Sequence, residues 1–188
     1  MTLKFNKDGY LDPGRHQSNI SEFKEFFVDS FPKSKSRDSR FEGFVKYSRN
    51  ICNEISCTRR QIIGGSFTTN KLNPHDIDFL IVLDKTNLTR KERRFIKFEE
   101  ERKRQEKRIR EGMIEQVKAG YIDINLVPCC DNFFICHQLP KTKTYKEYLE
   151  TKKYWVNQFG KTRKNKHGKR IKRGVVDLVL NSTTFEGI

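Results

Sequence analysis

Gln61-Ile62-Ile63-Gly64-Gly65-Ser66, followed after nine residues by Asp76-Ile77-Asp78-Phe79-Leu80-Ile81-Val82-Leu83, is the part of this chain that decides its fold. The first run predicts a short apolar strand that ends in a glycine turn. The second is almost wholly apolar after its two acids, the pattern of a central strand buried on both faces. Residues i and i+2 of a strand share a face, so Asp76 and Asp78 are expected to project together, with Ile77 directed the other way. Two carboxylates this close repel, and burying them is costly unless something neutralises them. A carboxylate pair suits two divalent ions about 3.5–4 Å apart, the arrangement that stabilises phosphoryl displacement. The glycines allow a backbone to approach a phosphate closely and to donate amide N–H groups to it, and Ser66 adds a hydroxyl.

Outward from this stretch the apolar periodicity supplies the flanking elements. A helix is expected from about Ser18, capped by Ser18 or Ser21, with Ile20, Phe23, Phe27 and Val28 on one face. A second is expected from about Arg40 to Ile55, with Phe41, Phe44, Val45, Ile51 and Ile55 as its stripe. After the acid-bearing strand comes a long helix over 89–118, with Thr89 as its cap and Phe95, Phe98, Ile109, Met113 and Val117 as core candidates. Its middle, 99–108, has no apolar side chain and is expected to stand in solvent. Tyr121–Val127 reads as a strand with Asp123 between Ile122 and Ile124. Paired beside the first acid strand, it would complete a cluster of three acids. Pro128–Pro140 reads as an irregular loop. A helix over Tyr145–Phe159 and a strand over Val175–Leu180 follow, with Asp177 expected to face outward.

The chain has 188 residues, 39 Lys+Arg against 24 Asp+Glu, and a net charge of +15. The charge is concentrated. Residues 90–111 hold 11 basic and 6 acidic side chains, while residues 161–173 hold 8 basic side chains and no acid. A localised basic surface suggests a polyanionic partner. The second basic segment joins an aromatic helix to an apolar strand, so it reads as a structured loop, with Arg163, Lys172 and Arg173 as the phosphate-contact candidates nearest the ordered elements. No apolar run reaches the roughly 18 residues of a membrane span, which excludes direct membrane insertion. The opening residues carry no apolar stretch of the kind a secretion signal needs, so the expected location is cytoplasmic. The five cysteines then read as free thiols. Cys129, Cys130, Cys136 and His137 match no common zinc spacing.

The order of strand, Gly64-Gly65-Ser66, Asp76-Ile77-Asp78, long helix and Asp123 on a strand resembles the DNA polymerase β-like nucleotidyltransferase superfamily over roughly residues 40–127. The chain further resembles small bacterial members of the anti-phage and toxin–antitoxin type. That likeness rests on Asp8-Gly9-Tyr10-Leu11-Asp12-Pro13-Gly14, Gly65-Ser66-Phe67, Tyr154-Trp155-x3-Phe159-Gly160-x2-Arg163 and Arg173-Gly174-Val175-Val176. The resemblance implies an α+β chain with the minimal nucleotidyltransferase fold, a short mixed sheet carrying the acids with flanking helices. It implies one domain over 1–188, with a core at about 40–127 and a helix, basic loop and strand within 141–180. Asp76, Asp78 and Asp123 would be the catalytic and metal-binding acids for two Mg²⁺ ions, with Mn²⁺ as a substitute. Gly64, Gly65, Ser66, Arg163, Lys172 and Arg173 would bind the nucleotide.

The implied activity is transfer of a nucleoside monophosphate from a nucleoside triphosphate to a hydroxyl. The acceptor or product is a nucleic acid or oligonucleotide, made without a template, in a bacterial defence setting with an operon-encoded effector or toxin. Two alternatives stand beside it. One is nucleotidylation of a partner protein. The other is an inactive module that binds nucleic acid or an effector. The hydroxyls of Ser182, Thr183 and Thr184 are further acceptor candidates.

Overall fold

The computed structural model describes residues 3–55, 59–83, 88–121, 130–136, 143–162, 168–180 and 184. Its centre is β3 (Ile77–Leu83), where Ile77, Phe79 and Ile81 alternate with Asp78, Leu80 and Val82. All of these except Asp78 are buried, so both faces of the strand are covered, as its apolar run requires. Four further strands complete one sheet: β1 (Gly14–Ser18), β2 (Arg59–Gly64), β4 (Cys130–Cys136) and β5 (Gly174–Leu180). The order is β1-β5-β2-β3-β4. β2 is antiparallel to both of its neighbours, and the outer pairs β1–β5 and β3–β4 are parallel. The architecture is α+β, a mixed sheet flanked by helices.

The larger core lies on the face of Ile63, Phe79, Ile81, Val176 and Leu178. It is covered by α1 (Ile20–Lys24), a π-helical turn at Glu25–Asp29, and α2 (Arg37–Glu54). Asn19 caps α1 in a reciprocal capping box with Glu22, in place of the serines expected there. Phenylalanines fill this side. Phe23 stacks on Phe67 with ring centres 5.9 Å apart, and Phe44 meets Phe79 edge-on at 5.0 Å. Each fully buried Phe contributes about 1.5–3 kcal/mol. The opposite face carries a smaller cluster of Ile62, Leu80, Val82 and Val175, closed by Phe159 and Trp155 of α4 (Lys143–Phe159). Trp155 is thus used for packing.

The strands differ from the expectation in two places. β1 was not visible in the sequence, because Gly-Arg-His-Gln-Ser has no apolar pattern. It is an edge strand held by backbone pairing to β5. The segment read as an irregular loop contains β4, with Phe133, Phe134 and Ile135 at its centre. The strand expected at Tyr121–Val127 lies outside the described residues beyond Tyr121.

α3 (Arg90–Lys118) departs from the amphipathic reading. Phe95 packs on the large core, but Phe98 and Ile109 are exposed. Glu99, placed in solvent by the sequence, is buried and receives two hydrogen bonds from Arg102 at 3.1 and 2.7 Å. The Arg102 guanidinium in turn lies 5.6 Å from the Tyr47 ring of α2. At the helix start, Thr89 and Glu92 form the expected cap. Among the described residues no helix is long and apolar enough to cross a membrane.

Candidate functional site

Gly64 is the last residue of β2 and is in register with Asp78 near the start of β3. The chain then turns sharply, with Gly65 at φ 73°. Only glycine adopts this conformation without strain. A methyl group on Gly65 would also collide with the Asp78 carboxylate. The Gly-Gly-Ser turn and the second acid of the Asp-x-Asp pair are therefore in direct contact. Gly64 is constrained too, since a side chain there would run into Phe159. The Thr68 hydroxyl donates to the Gly65 carbonyl at 3.3 Å and the Thr69 hydroxyl to the Ser66 carbonyl at 2.7 Å. Both carbonyls are thereby tied into the turn. The Ser66 N–H and hydroxyl donate to no acceptor among the described residues.

The segment between turn and acids is fixed from the start of α2. The Arg37 guanidinium is fully buried. Its Nη1 donates to the carbonyls of Phe27 at 2.6 Å and Phe67 at 2.9 Å, and its Nη2 to those of Thr69 and Lys71, both at 2.7 Å. Its carbon lies 3.9 Å from the centre of the Phe31 ring. Burial lowers the Arg37 pKa to about 10. The Asn73 carboxamide oxygen accepts from the Lys35 N–H at 2.8 Å, and Ser36 Oγ donates to the Pro74 carbonyl at 2.8 Å. Residues 67–74 are thus pinned at five backbone or side-chain points just ahead of Asp76. His75, directly after this segment, is held below its ordinary pKa by burial first and Lys71 next, with Asp76 opposing and Arg40 and Lys118 adding to the shift.

The N-terminal strap reaches the same end of the sheet. Tyr10 bridges Thr69, the Asn70 N–H donates to the Gly9 carbonyl at 2.9 Å, and the Gly174 N–H donates to the Leu11 carbonyl at 2.9 Å. Arg173, directly before β5, donates from Nε to the Phe159 carbonyl at 2.8 Å. Burial pushes its guanidinium below the ordinary value, with the Asp78 carboxylate and Tyr10 acting in the opposite direction. Five segments that are distant in sequence, 8–14, 64–67, 76–78, 159–160 and 172–174, therefore meet at one sheet end.

Of the expected site residues, the structure brings together Gly64, Gly65, Ser66, Asp78 and Arg173; Asp76, expected on the strand with Asp78, lies one residue ahead of β3 and next to His75. Lys172 lies beside Arg173 but faces a neighbouring cleft. Asp123 and Arg163 lie outside the described residues. One residue was missed. β4 places Asp131 in register with Asp78 on the adjacent strand, which makes it a second candidate for the third acid. Its signal was the Phe-Phe-Ile run that follows it.

Asp177 is corrected from an outward-facing residue to a buried one. It pairs with Arg15 of β1 and with Arg60 of β2, whose Nε and Nη2 donate at 2.8 and 2.6 Å. It belongs to a structural ion triad and is not a fourth acid of the site. Among the described residues no group of three His, Cys, Asp or Glu side chains is gathered closely enough to hold a metal. The donor set that is present, the carboxylates of Asp76 and Asp78 one residue apart and next to the Gly65 turn, is all oxygen and fits the ligand chemistry of a hard divalent ion such as Mg²⁺.

A family model described as a family of unknown function (DUF6932) matches residues 3–179. No curated protein and no solved structure matches the chain.

Proposed function

This chain belongs to DUF6932, a family of unknown function, and we propose that it is a nucleotidyltransferase of the polymerase β-like kind. One observation carries the reading: the Gly65 turn is seated against the Asp78 carboxylate with no room for a side chain between them. A phosphate-approaching backbone and a metal-type acid pair are otherwise unrelated devices. Their contact is what a nucleoside triphosphate bridging the two needs.

Asp76 and Asp78 would hold Mg²⁺, which when bound supplies neutralisation of phosphate charge and a lowered pKa for the acceptor hydroxyl. The third acid would be Asp123 or Asp131. Ser66 offers a free amide and hydroxyl to the outer phosphates. Arg173, fixed through its Nε, adds a positive charge on the same side as Asp78. The acceptor hydroxyl would release its proton to solvent, its oxygen bonding to the α-phosphorus as the bond to the α,β-bridging oxygen breaks and pyrophosphate leaves. Catalysis of this type is mostly positioning and preorganised electrostatics, which suits a turn pinned as firmly as residues 67–74. The acceptor in this reading is a nucleic acid or oligonucleotide, in keeping with the net charge of +15.

The test is incubation of the protein with each labelled nucleoside or deoxynucleoside triphosphate and Mg²⁺, followed by denaturing gels. Asp76→Ala/Asp78→Ala is the control, and Asp123→Ala and Asp131→Ala decide the third acid. A ladder of products that the double variant abolishes is the expected result. A labelled protein band would move the acceptor to protein. The absence of any label that depends on Asp76 and Asp78 would refute the enzyme reading.

A further inference from the structure

Beside Arg173, between β1 and the C-terminal end of α4, lies a cleft of about 240 Å³. Its polar lining is Arg15, Asn157, Lys161, Lys172 and Arg173, four cations and an amide with no acid. Arg15 shares the Asp177 carboxylate with Arg60. Lys161 and Lys172 form the bridge of a short antiparallel neck, placing two like charges directly opposite each other. Such a pair is destabilising unless an anion lies between its members. Both lysines are exposed, and neither has a carboxylate partner among the described residues.

The neck itself is rigid. The Thr162 N–H donates to the Ile171 carbonyl at 2.9 Å, the Ile171 N–H to Thr162 Oγ1 at 2.9 Å, and the Arg173 N–H to the Gly160 carbonyl at 2.8 Å. The backbone of the two lysines is therefore held in register ahead of any ligand.

We infer that this cleft seats the sugar–phosphate backbone of a single nucleic-acid strand. Its volume is below the roughly 300–1,000 Å³ of pockets that engulf a whole small ligand, so it suits a phosphate and its sugar with the base left outside. The four cations exceed what one phosphate needs, and Lys169 and Arg170 are exposed on the described part of the same segment. So many cations fit a repeating polyanion better than a triphosphate tail. Tyr154, 54% exposed and one helical turn before Asn157, offers a face on which a base can stack. Arg173 lines the cleft and also feels the Asp78 carboxylate, so a strand lying here leads toward the acids. That the strand is the acceptor rests on the nucleotidyl-transfer reading; that it binds here does not.

The experiment is fluorescence anisotropy of the full chain with a labelled single-stranded oligonucleotide of about 12 nucleotides, within the usual site range. It is run in EDTA across a salt series, with Lys161→Gln/Lys172→Gln, Lys161→Arg/Lys172→Arg and Tyr154→Ala variants. Two phosphate contacts account for about 1.4 of the slope of log affinity against log salt. The Gln pair should lower the slope by that amount and the Arg pair should retain it. Tyr154→Ala should weaken binding about fivefold or more.

An unchanged slope in the Gln pair overturns the proposal, as does a wild-type chain that binds no oligonucleotide. Equal binding of a duplex also overturns it. So does full displacement of the strand by an unlabelled triphosphate in EDTA, which would assign the cleft to the triphosphate tail. Asp76→Ala/Asp78→Ala should still bind the strand, with the same loss of slope when the Gln pair is added. A failed enzyme reading would thus appear as intact binding without product, and a failed cleft as product with an unaltered slope.

Discussion

Replacing Arg37 by Met should destabilise the protein by about 3–5 kcal/mol, the range for breaking a buried charged network. The estimate starts from four hydrogen bonds of 2.6–2.9 Å to the carbonyls of Phe27, Phe67, Thr69 and Lys71. Bonds to a charged group are worth about 1.5–3 kcal/mol each, and the stranded carbonyls keep their desolvation cost. Opposing this is relief of the guanidinium's own burial, the penalty that lowers its pKa to about 10. Met retains the apolar stem, so the loss is polar and not volumetric.

Arg37→Lys is the graded companion. Its ammonium has three donors and cannot serve four carbonyls in the geometry of a planar fork, so roughly half the loss is expected. Urea unfolding followed by the fluorescence of Trp155, the one Trp of the chain, reads both variants. A midpoint shift for Arg37→Met equivalent to less than about 1 kcal/mol, the worth of an ordinary hydrogen bond, would refute the pinning argument. Because domains typically hold only about 5–15 kcal/mol in total, the loss should also be visible as proteolytic nicking at residues 67–75.

Three other substitutions test the remaining devices. Gly65→Ala must place a methyl at φ 73° and against Asp78; it should cost at least about 1–2 kcal/mol in thermal unfolding, while Gly112→Ala, in open space on α3, should gain about 1 kcal/mol. Equal melting temperatures for the two would contradict the turn geometry. Asp177→Asn should destabilise by about 3–5 kcal/mol, and joint replacement of Arg15, Asp177 and Arg60 by apolar residues should recover most of it, as double-mutant cycles would show.

His75 has a folded pKa below its ordinary 6.5, so the unfolded chain binds the extra proton first. Its contribution is complete above about 6.5 and is lost as pH falls through the folded value. His75→Gln should therefore flatten the stability difference between about pH 7.5 and 5.5, and an unchanged difference would remove His75 as its source.

The fold was legible where burial leaves a one-dimensional trace. β3 announces itself by a run of apolar residues covered on both faces, and α2 by its Phe41, Phe44, Val45 and Ile51 stripe. Gly64, Gly65 and Ser66 were legible as a turn, since backbone conformation is encoded locally. What was not legible depends on partners remote in sequence. β1 has no apolar pattern because an edge strand can be held by backbone bonds alone. Asp177 looked like an ordinary alternating polar residue, since its partners Arg15 and Arg60 lie 162 and 117 positions away. Glu99 is buried with Arg102, whose guanidinium meets the Tyr47 ring of α2, while Phe98 one residue earlier stays exposed. Asp131 became a candidate only through the register of β4 with β3.

The position of β5 has a consequence for how the protein is made. It comes last among the strands in sequence order, yet it sits inside the sheet, between β1 and β2. During synthesis the chain through α4 leaves the ribosome with β1 unattached and one side of β2 open. Arg15 and Arg60 then lack the carboxylate that later joins them. An open strand edge invites pairing with other chains. A nascent or truncated product that stops before Gly174 is thus a different molecule to the cell's quality control from the finished one. Seven residues, Gly174–Leu180, join β1 to β2 in one continuous sheet, and the Arg173 that precedes them reaches the acid site in the same step.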